Sequence, residues 1–333
     1  MKAFIVDRYG GDNVVRFGEM PEPEVGDDDV LVEIRAASIN HLDLRIRKGE
    51  LNLVLPYRLP LILGNDLAGV VVRVGSNVKR FKPGDEVYAR PDKDRIGAFA
   101  EFIAINERDV AIKPKKLTME EAASIPLVGL AVWQVLIERA SLKKGQKVLI
   151  HAGAGAVGTF AIQLAKHIGA TIATTASTAN LDFVKQLGAD IVIDYRKDDF
   201  ATILHDYDVV LDSLGGETLE KSLRVLKPGG KLISLFGPPD PEFAKEIGLP
   251  WFVKFAMYLL SYQMKQKAKR RHISYSFLFM RANGEQLSEI TSLIDSGIIH
   301  PFVDKIFPFK STKEALDYVE KGHAKGKVVV KMR

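Results

Sequence analysis

The stretch that most constrains this chain is Val148–Lys166, VLIHAGAGAVGTFAIQLAK. Val148, Leu149 and Ile150 form a short apolar run of the kind that makes a buried parallel strand. Gly153-Ala154-Gly155-Ala156-Val157-Gly158 follows and fits G-x-G-x-x-G. Beyond it, Val157, Ala161, Leu164, Ala165 and Ile168 recur at helical spacing. The glycines therefore sit where a strand turns into a helix, the context in which this pattern binds a dinucleotide. Gly153 permits the tight turn, Gly155 lets backbone N–H groups approach a pyrophosphate, and Gly158 lets helix and strand pack closely. Ala156 and Val157 open the helix, so the phosphates would meet the positive end of its dipole.

A chain of 333 residues is long for one domain and comfortable for two. It is 47% hydrophobic and 27% charged, which is enough to build real cores. It has no cysteine, so a disulfide framework and any cysteine-ligated metal site are excluded. The start, MKAFIVDRYGG, shows no apolar secretory core, and a cytoplasmic location is the expectation. No run of 18 apolar residues predicts a spanning helix. The net charge of +5 admits a nucleic-acid partner. The basic residues are mostly scattered, however, and a phosphate-bearing cofactor accounts for them at least as well.

Residues 1–125 read as mostly β, with strands expected at Lys2–Val6, Asp29–Ala36, Val70–Gly75, Glu86–Ala89 and Phe99–Ile105. Their close spacing suggests a small barrel or sandwich. Thr118-Met119-Glu120-Glu121 is a capping box that opens a helix. Pro126 interrupts it, and a second helix is expected over Gly129–Ala140. From 147 to about 280, strands alternate with helices, which predicts a doubly wound parallel sheet. Its strands fall at Val148–Ile150, Thr171–Thr175, Ile191–Ile193, Asp208–Leu211 and Lys231–Leu235, with Lys227–Gly230 as a turn. The loops after the fourth and fifth strands lie at the carboxyl edge, where such sheets bind ligands. Ser213, Leu214, Phe236 and Gly237 are therefore candidate neighbours of the nicotinamide.

An acid about 20 residues beyond the glycines usually holds the ribose hydroxyls of NAD. Here the second strand ends in Thr175-Ala176-Ser177-Thr178, with no acid. Ser177 leaves room for a 2′-phosphate and does not repel it, which favours NADP(H). No basic residue follows directly, since Ala179 and Asn180 stand where one would help.

Several runs together resemble the medium-chain dehydrogenase/reductase superfamily, in its zinc-independent quinone oxidoreductase branch. They are Ala37-Ser38-Ile39-Asn40-His41-Leu42-Asp43, Leu63-Gly64-Asn65-Asp66-Leu67-Ala68-Gly69 and Phe81-Lys82-Pro83-Gly84-Asp85. The glycine turn, Asp212–Gly216 and Gly322–Val329 complete the set. The resemblance spans nearly the whole chain. It implies an α/β architecture in two parts: a GroES-like domain over 1–125, rejoined by 300–333, and a Rossmann domain over 126–299. It implies Asn40 as a hydrogen-bond donor beside the nicotinamide or acceptor carbonyl, with Asp43 organising it. It also implies Tyr195 near the adenosine phosphate, Phe277 on the nicotinamide side, and a homodimer formed through the sheet edge near 272–279. In the terminal run, His323 and Lys325 point to the adenosine 2′-phosphate, and Lys327 is counted with the cofactor residues.

Zinc-using relatives place a cysteine where Asn40 stands and a histidine where Asn65 stands. No H-x-x-x-H pair replaces them. No metal site is therefore expected. Without a Lewis acid, hydride delivery to an electron-poor acceptor is the reaction that needs least help from the protein. The leading expectation is an NADPH-dependent reductase of quinones or enones. A 2-enoyl thioester reductase is the nearest rival, and a non-catalytic NADPH sensor is the reading from another class. Trp251–Leu260 followed by Lys265, Lys267, Lys269, Arg270 and Arg271 is too short to cross a membrane. It reads as a buried helix or acceptor flap, with a basic membrane-surface helix as the competing possibility.

Overall fold

The computed structural model describes residues 1–322 and 324–332, with Asp12 described by its backbone alone. The chain divides into two compact units, Met1–Leu130 with Arg281–Arg333, and Ala131–Met280.

The first unit is built on the strand Asp29–Ile39, whose eleven residues are almost all buried. Such a strand needs partners on both edges and cover on both faces. Lys327–Lys331 pairs along one edge and Asp66–Val74 along the other, both antiparallel. The sheet then runs on through Glu86–Ala89 to Val110–Ile112, with Val303–Pro308 outside Lys327–Lys331. Phe102–Asn106 pairs with the first half of the central strand. A three-stranded sheet of Val15–Glu19, Lys2–Val6 and Leu61–Ile62 shares the same apolar core, in which Phe4, Val32, Leu67 and Phe99 are buried.

The register positions the polar residues. Ser38 lies opposite Asp66 on one edge and opposite Val329 on the other, and Ile39 lies opposite Val328. Asn40, Asp66 and Lys327 therefore gather at the ends of three neighbouring strands. Asn40 leads straight into the helix His41–Lys48.

In the second unit six parallel strands run in the order Ile191–Asp194, Thr171–Ala176, Lys147–Ile150, Tyr207–Asp212, Leu226–Ser234, Ser274–Phe277. The first strand in sequence is central and the order reverses beside it, as in dinucleotide-binding sheets.

Four expectations from the sequence need correction. The helix Gly284–Asp295 belongs to the first unit, so the boundary falls at 280/281 rather than 299/300. It lies flat on that unit, where a Cβ on Gly284 would come within 2.2 Å of the Val110 carbonyl oxygen. The Tyr88 hydroxyl also donates to the Leu287 carbonyl at 2.6 Å. Pro126 starts a helix, Pro126–Trp133, because the first turn has no use for the missing N–H. This helix crosses the boundary at 130/131 and continues as a π-helical stretch, Gln134–Arg139. Lys227–Gly230 lies within the fifth strand as a local irregularity of register rather than outside it as a turn. Ser311-Thr312-Lys313-Glu314 reads in the sequence as a helix cap, but Ser311 does not cap the helix Thr312–Glu320 with its side chain, and the Thr312 hydroxyl donates back to the Phe309 carbonyl instead.

Candidate active site

The glycine turn has the geometry its sequence predicts, and each glycine has its own reason. A Cβ on Gly153 would sit 2.2 Å from Thr174 Oγ1 on the neighbouring strand, and one on Gly158 would sit 2.3 Å from the Ala152 carbonyl oxygen. Both are required by the packing of the protein itself. Gly155 is different. Its backbone is ordinary, and an added Cβ would meet only the Ala152 carbonyl oxygen, at 3.3 Å. Neither fold nor strain asks for glycine there. The cradle that a side chain would fill lies at the N-terminus of Ala156–Ile168, where Ala156, Val157 and Gly158 carry the first N–H groups of the helix. This fits a pyrophosphate.

Ser177 follows the second strand and Tyr195 follows the neighbouring one, where Ala176 pairs with Asp194. The Tyr195 N–H donates to the Ala176 carbonyl at 3.2 Å, so the two candidates lie side by side. Tyr195 is 58% exposed. Arg196 and Lys197 come with it, both exposed. They supply the basic charge that the run after Ser177 lacks. Sequence order alone did not reveal them, because the strand that carries them lies about 20 residues downstream.

One buried carboxylate organises the carboxyl edge. Asp212 is fully buried and accepts from the N–H groups of Leu214 and Gly215. It also accepts from the Ser234 hydroxyl at 2.6 Å, and that hydroxyl in turn accepts from the N–H groups of Phe236 and Gly237. Ser213, Leu214, Phe236 and Gly237 are thus brought together by a single Asp212–Ser234 clamp. Burial raises the Asp212 carboxyl above its ordinary range. Phe277 pairs with Ser234 and packs edge-on against Phe243, their centroids 5.1 Å apart. His151, at the end of the first strand, is a packed polar group. Its Nε2 bonds Ser222 Oγ at 2.9 Å, and burial holds its pKa down at about 3.

In the first unit Asn40 belongs to a cluster only partly foreseen. Its Oδ1 accepts from Lys327 Nζ at 2.6 Å, and its Nδ2 donates to Asp66 Oδ2 at 2.9 Å. Lys327 also pairs with Asp66 Oδ2 at 2.9 Å and is 5% exposed. Ser38 donates to the same oxygen, and the Leu127 N–H donates to the other at 2.7 Å. Asp43, expected to organise the Asn40 amide, instead accepts from the Asn40 backbone N–H at 2.8 Å and from Asn65 Nδ2 at 2.7 Å. The amide itself is organised by Asp66 and Lys327. Lys327 is therefore committed to this cluster. Lys325 is exposed, and His323 lies outside the described residues.

Two further polar groups line this region. Arg90 follows the strand paired with Asp66–Val74 and is 1% exposed, with Nε and Nη2 making no hydrogen bond. Asn65 Oδ1 is likewise buried without a donor. Arg90 carried no signal in the sequence beyond being a charge at the end of a strand.

Residues 26–116 match the family model described as alcohol dehydrogenase GroES-like domain, and residues 187–330 match the one described as zinc-binding dehydrogenase. An NADPH-dependent alkenal/one oxidoreductase, chloroplastic, of Arabidopsis thaliana is 36% identical over 341 residues, covering 99% of this chain and 79% of its own. The quinone oxidoreductase of Coxiella burnetii superposes with a TM-score of 0.87 at 32% identity, covering 100% of this chain and 99% of its own. The Escherichia coli quinone oxidoreductase complexed with NADPH gives 0.82 at 29% identity, with both chains covered completely. The chain belongs to the medium-chain dehydrogenase/reductase superfamily. Its place within that superfamily is the quinone oxidoreductase branch.

Gly155→Asp should leave the melting temperature close to the parent's and weaken NADPH binding at least about a hundredfold, roughly 2.7 kcal/mol, read by fluorescence titration. Unchanged affinity would mean that the phosphate turn lies elsewhere. Lys327→Met should destabilise the protein by about 3–5 kcal/mol in urea, because Asp66 is left buried without its counter-charge. Burial, opposed by hydrogen bonds from Asn65 and Asn40, pushes Asp43 up to about 6. A group raised in the folded state favours folding below its unfolded value and loses that contribution as pH rises through about 6. Asp43→Asn should remove this part of the slope of stability against pH, and an unchanged slope between pH 4 and 7 would contradict it.

Proposed function

We propose that the protein is an NADPH-dependent reductase of α,β-unsaturated carbonyl compounds and quinones that works without zinc. One observation carries this reading. The two positions where zinc-using relatives hold ligands are Asn40 and Asn65, and both amides are tied into a buried cluster whose cation is Lys327. Bound NADPH supplies the hydride, and the acceptor supplies the electron-poor carbon. What remains for the protein is to hold both partners, keep water away, and favour the negative charge that gathers on the acceptor oxygen. The Gly155 cradle and the N-terminus of Ala156–Ile168 hold the pyrophosphate. Ser177, Tyr195, Arg196 and Lys197 hold the adenosine 2′-phosphate. The Lys327–Asp66 pair fixes the Asn40 amide, so this polar group is held in place before the acceptor binds. One proton from solvent completes the reduction after the hydride has been delivered.

The outer edge of Ser274–Phe277 bears no further strand among the described residues, and we place a second copy of the chain there. Light scattering should give a dimer mass, and a monomer would rule this pairing out.

The activity is tested by NADPH oxidation against a benzoquinone, a short enone and an enoyl thioester, using enzyme dialysed against a chelator. Turnover of the quinone or the enone should survive dialysis, with NADPH preferred over NADH by at least about tenfold in kcat/KM, or about 1.4 kcal/mol. Activity that disappears on chelation and returns with zinc would overturn the metal-free reading. Turnover of the thioester alone would move the substrate class.

A further inference from the structure

The helix Trp251–Arg270 has two apolar faces, and only one of them is used. Val253, Met257, Ser261, Met264 and Ala268 recur at helical spacing and are buried. They anchor the helix on the second unit, where Met264 and Ala268 join the core beside Ile273 and Tyr275. Trp251, Phe255, Tyr258 and Tyr262 form a second stripe on the opposite side, flanked by Phe252 and Leu259. All six are exposed, Trp251 at 77%. A surface helix ordinarily turns polar residues outward. A contiguous aromatic face marks a surface that meets something.

The composition of this face indicates what it meets. Trp and Tyr, each with an apolar ring and a polar edge, are the residues that settle at the boundary between lipid and water. The segment Trp251–Arg271 contains no acidic residue and has basic residues at 254, 265, 267, 269, 270 and 271. Lys265 pairs with Glu242 and Lys267 with Glu220, while Lys269, Arg270 and Arg271 are exposed at the far end. A second copy seated on this helix would set one uniformly basic segment against another. A surface carrying phosphate headgroups complements the charge and accepts the rings. No helix among the described residues is long and apolar enough to cross a membrane.

We infer that Trp251–Arg270 docks the protein onto an anionic lipid surface, lying in the interface with its aromatic stripe among the headgroups. Basic residues near such a surface contribute through attraction that falls off within a Debye length. Docking should therefore combine an apolar part that resists salt with an electrostatic part that salt weakens.

The test is sedimentation of the full chain with vesicles of phosphatidylcholine alone and of phosphatidylcholine mixed with phosphatidylglycerol, at low and high salt. The variants are Phe255→Glu with Leu259→Glu, and Lys269→Glu with Arg270→Glu and Arg271→Glu. Melting temperature and NADPH affinity should stay at parental values in both. The parent should bind the mixed vesicles, bind phosphatidylcholine weakly, and lose affinity with salt. Each variant should bind the mixed vesicles at least about tenfold more weakly. Absence of binding to mixed vesicles at low salt would overturn the inference, as would full binding by either variant. It would equally be overturned if the glutamates at 255 and 259 left vesicle binding intact and lowered the mass of the assembly, because a second copy would then cover the face.

Discussion

The ion pair between Lys327 and Asp66 is the interaction on which the first unit's polar cluster depends. A buried ammonium and a buried carboxylate each cost several kcal/mol to remove from water, and they persist only when their remaining lone pairs and protons are used. Here they are used fully. Asp66 accepts from Lys327, Asn40, Ser38 and the Leu127 N–H. Lys327 donates to Asp66, to Asn40 and, at 3.4 Å, to the Ile39 carbonyl. The Asn40 amide is thereby fixed at both ends.

The second unit applies the same economy with one carboxylate and a serine. Asp212 and Ser234 end adjacent parallel strands, and between them they satisfy the first N–H groups of two loops. Loops that leave a sheet at its carboxyl edge would otherwise be free to drift. The clamp turns two loops into one surface; Gly215 allows the two backbones to come close, and Gly237 leaves room for the side chains packed against it. A Cβ on Gly215 would lie 2.9 Å from the Phe236 carbonyl oxygen, and one on Gly237 would lie 2.6 Å from the Tyr275 hydroxyl.

Features carried by a few consecutive residues were legible in the sequence. The glycine turn, the capping box at Thr118 and the alternation of strands and helices all rest on local spacing, and the structure has them where they were expected. Features that depend on which strands lie side by side were not legible. Ser177 looked short of basic neighbours because Arg196 and Lys197 follow the adjacent strand, whose pairing brings Tyr195 beside Ala176. Asp43, which the resemblance implied as the organiser of Asn40, holds its backbone N–H rather than its amide. The true partners are 26 and 287 residues distant, and no periodicity marks them. The two-sided helix was legible as an apolar run with a basic tail. Which of its faces is covered emerged only once its packing was known.

The position of Lys327 also bears on how the protein is made. Asp66 lies in the first fifth of the sequence, and its counter-charge arrives 261 residues later. A ribosome releases most of the GroES-like strands well before it releases the lysine that neutralises their buried carboxylate. Until then Asp66 must stay hydrated, so the end of the sheet that carries Asn40 stays open to water. The first unit to be synthesised is in this respect the last to be finished. A chain cut short before Lys327 would keep the residues of the six-stranded sheet and lose the counter-charge of Asp66, leaving that carboxylate to water or to protonation.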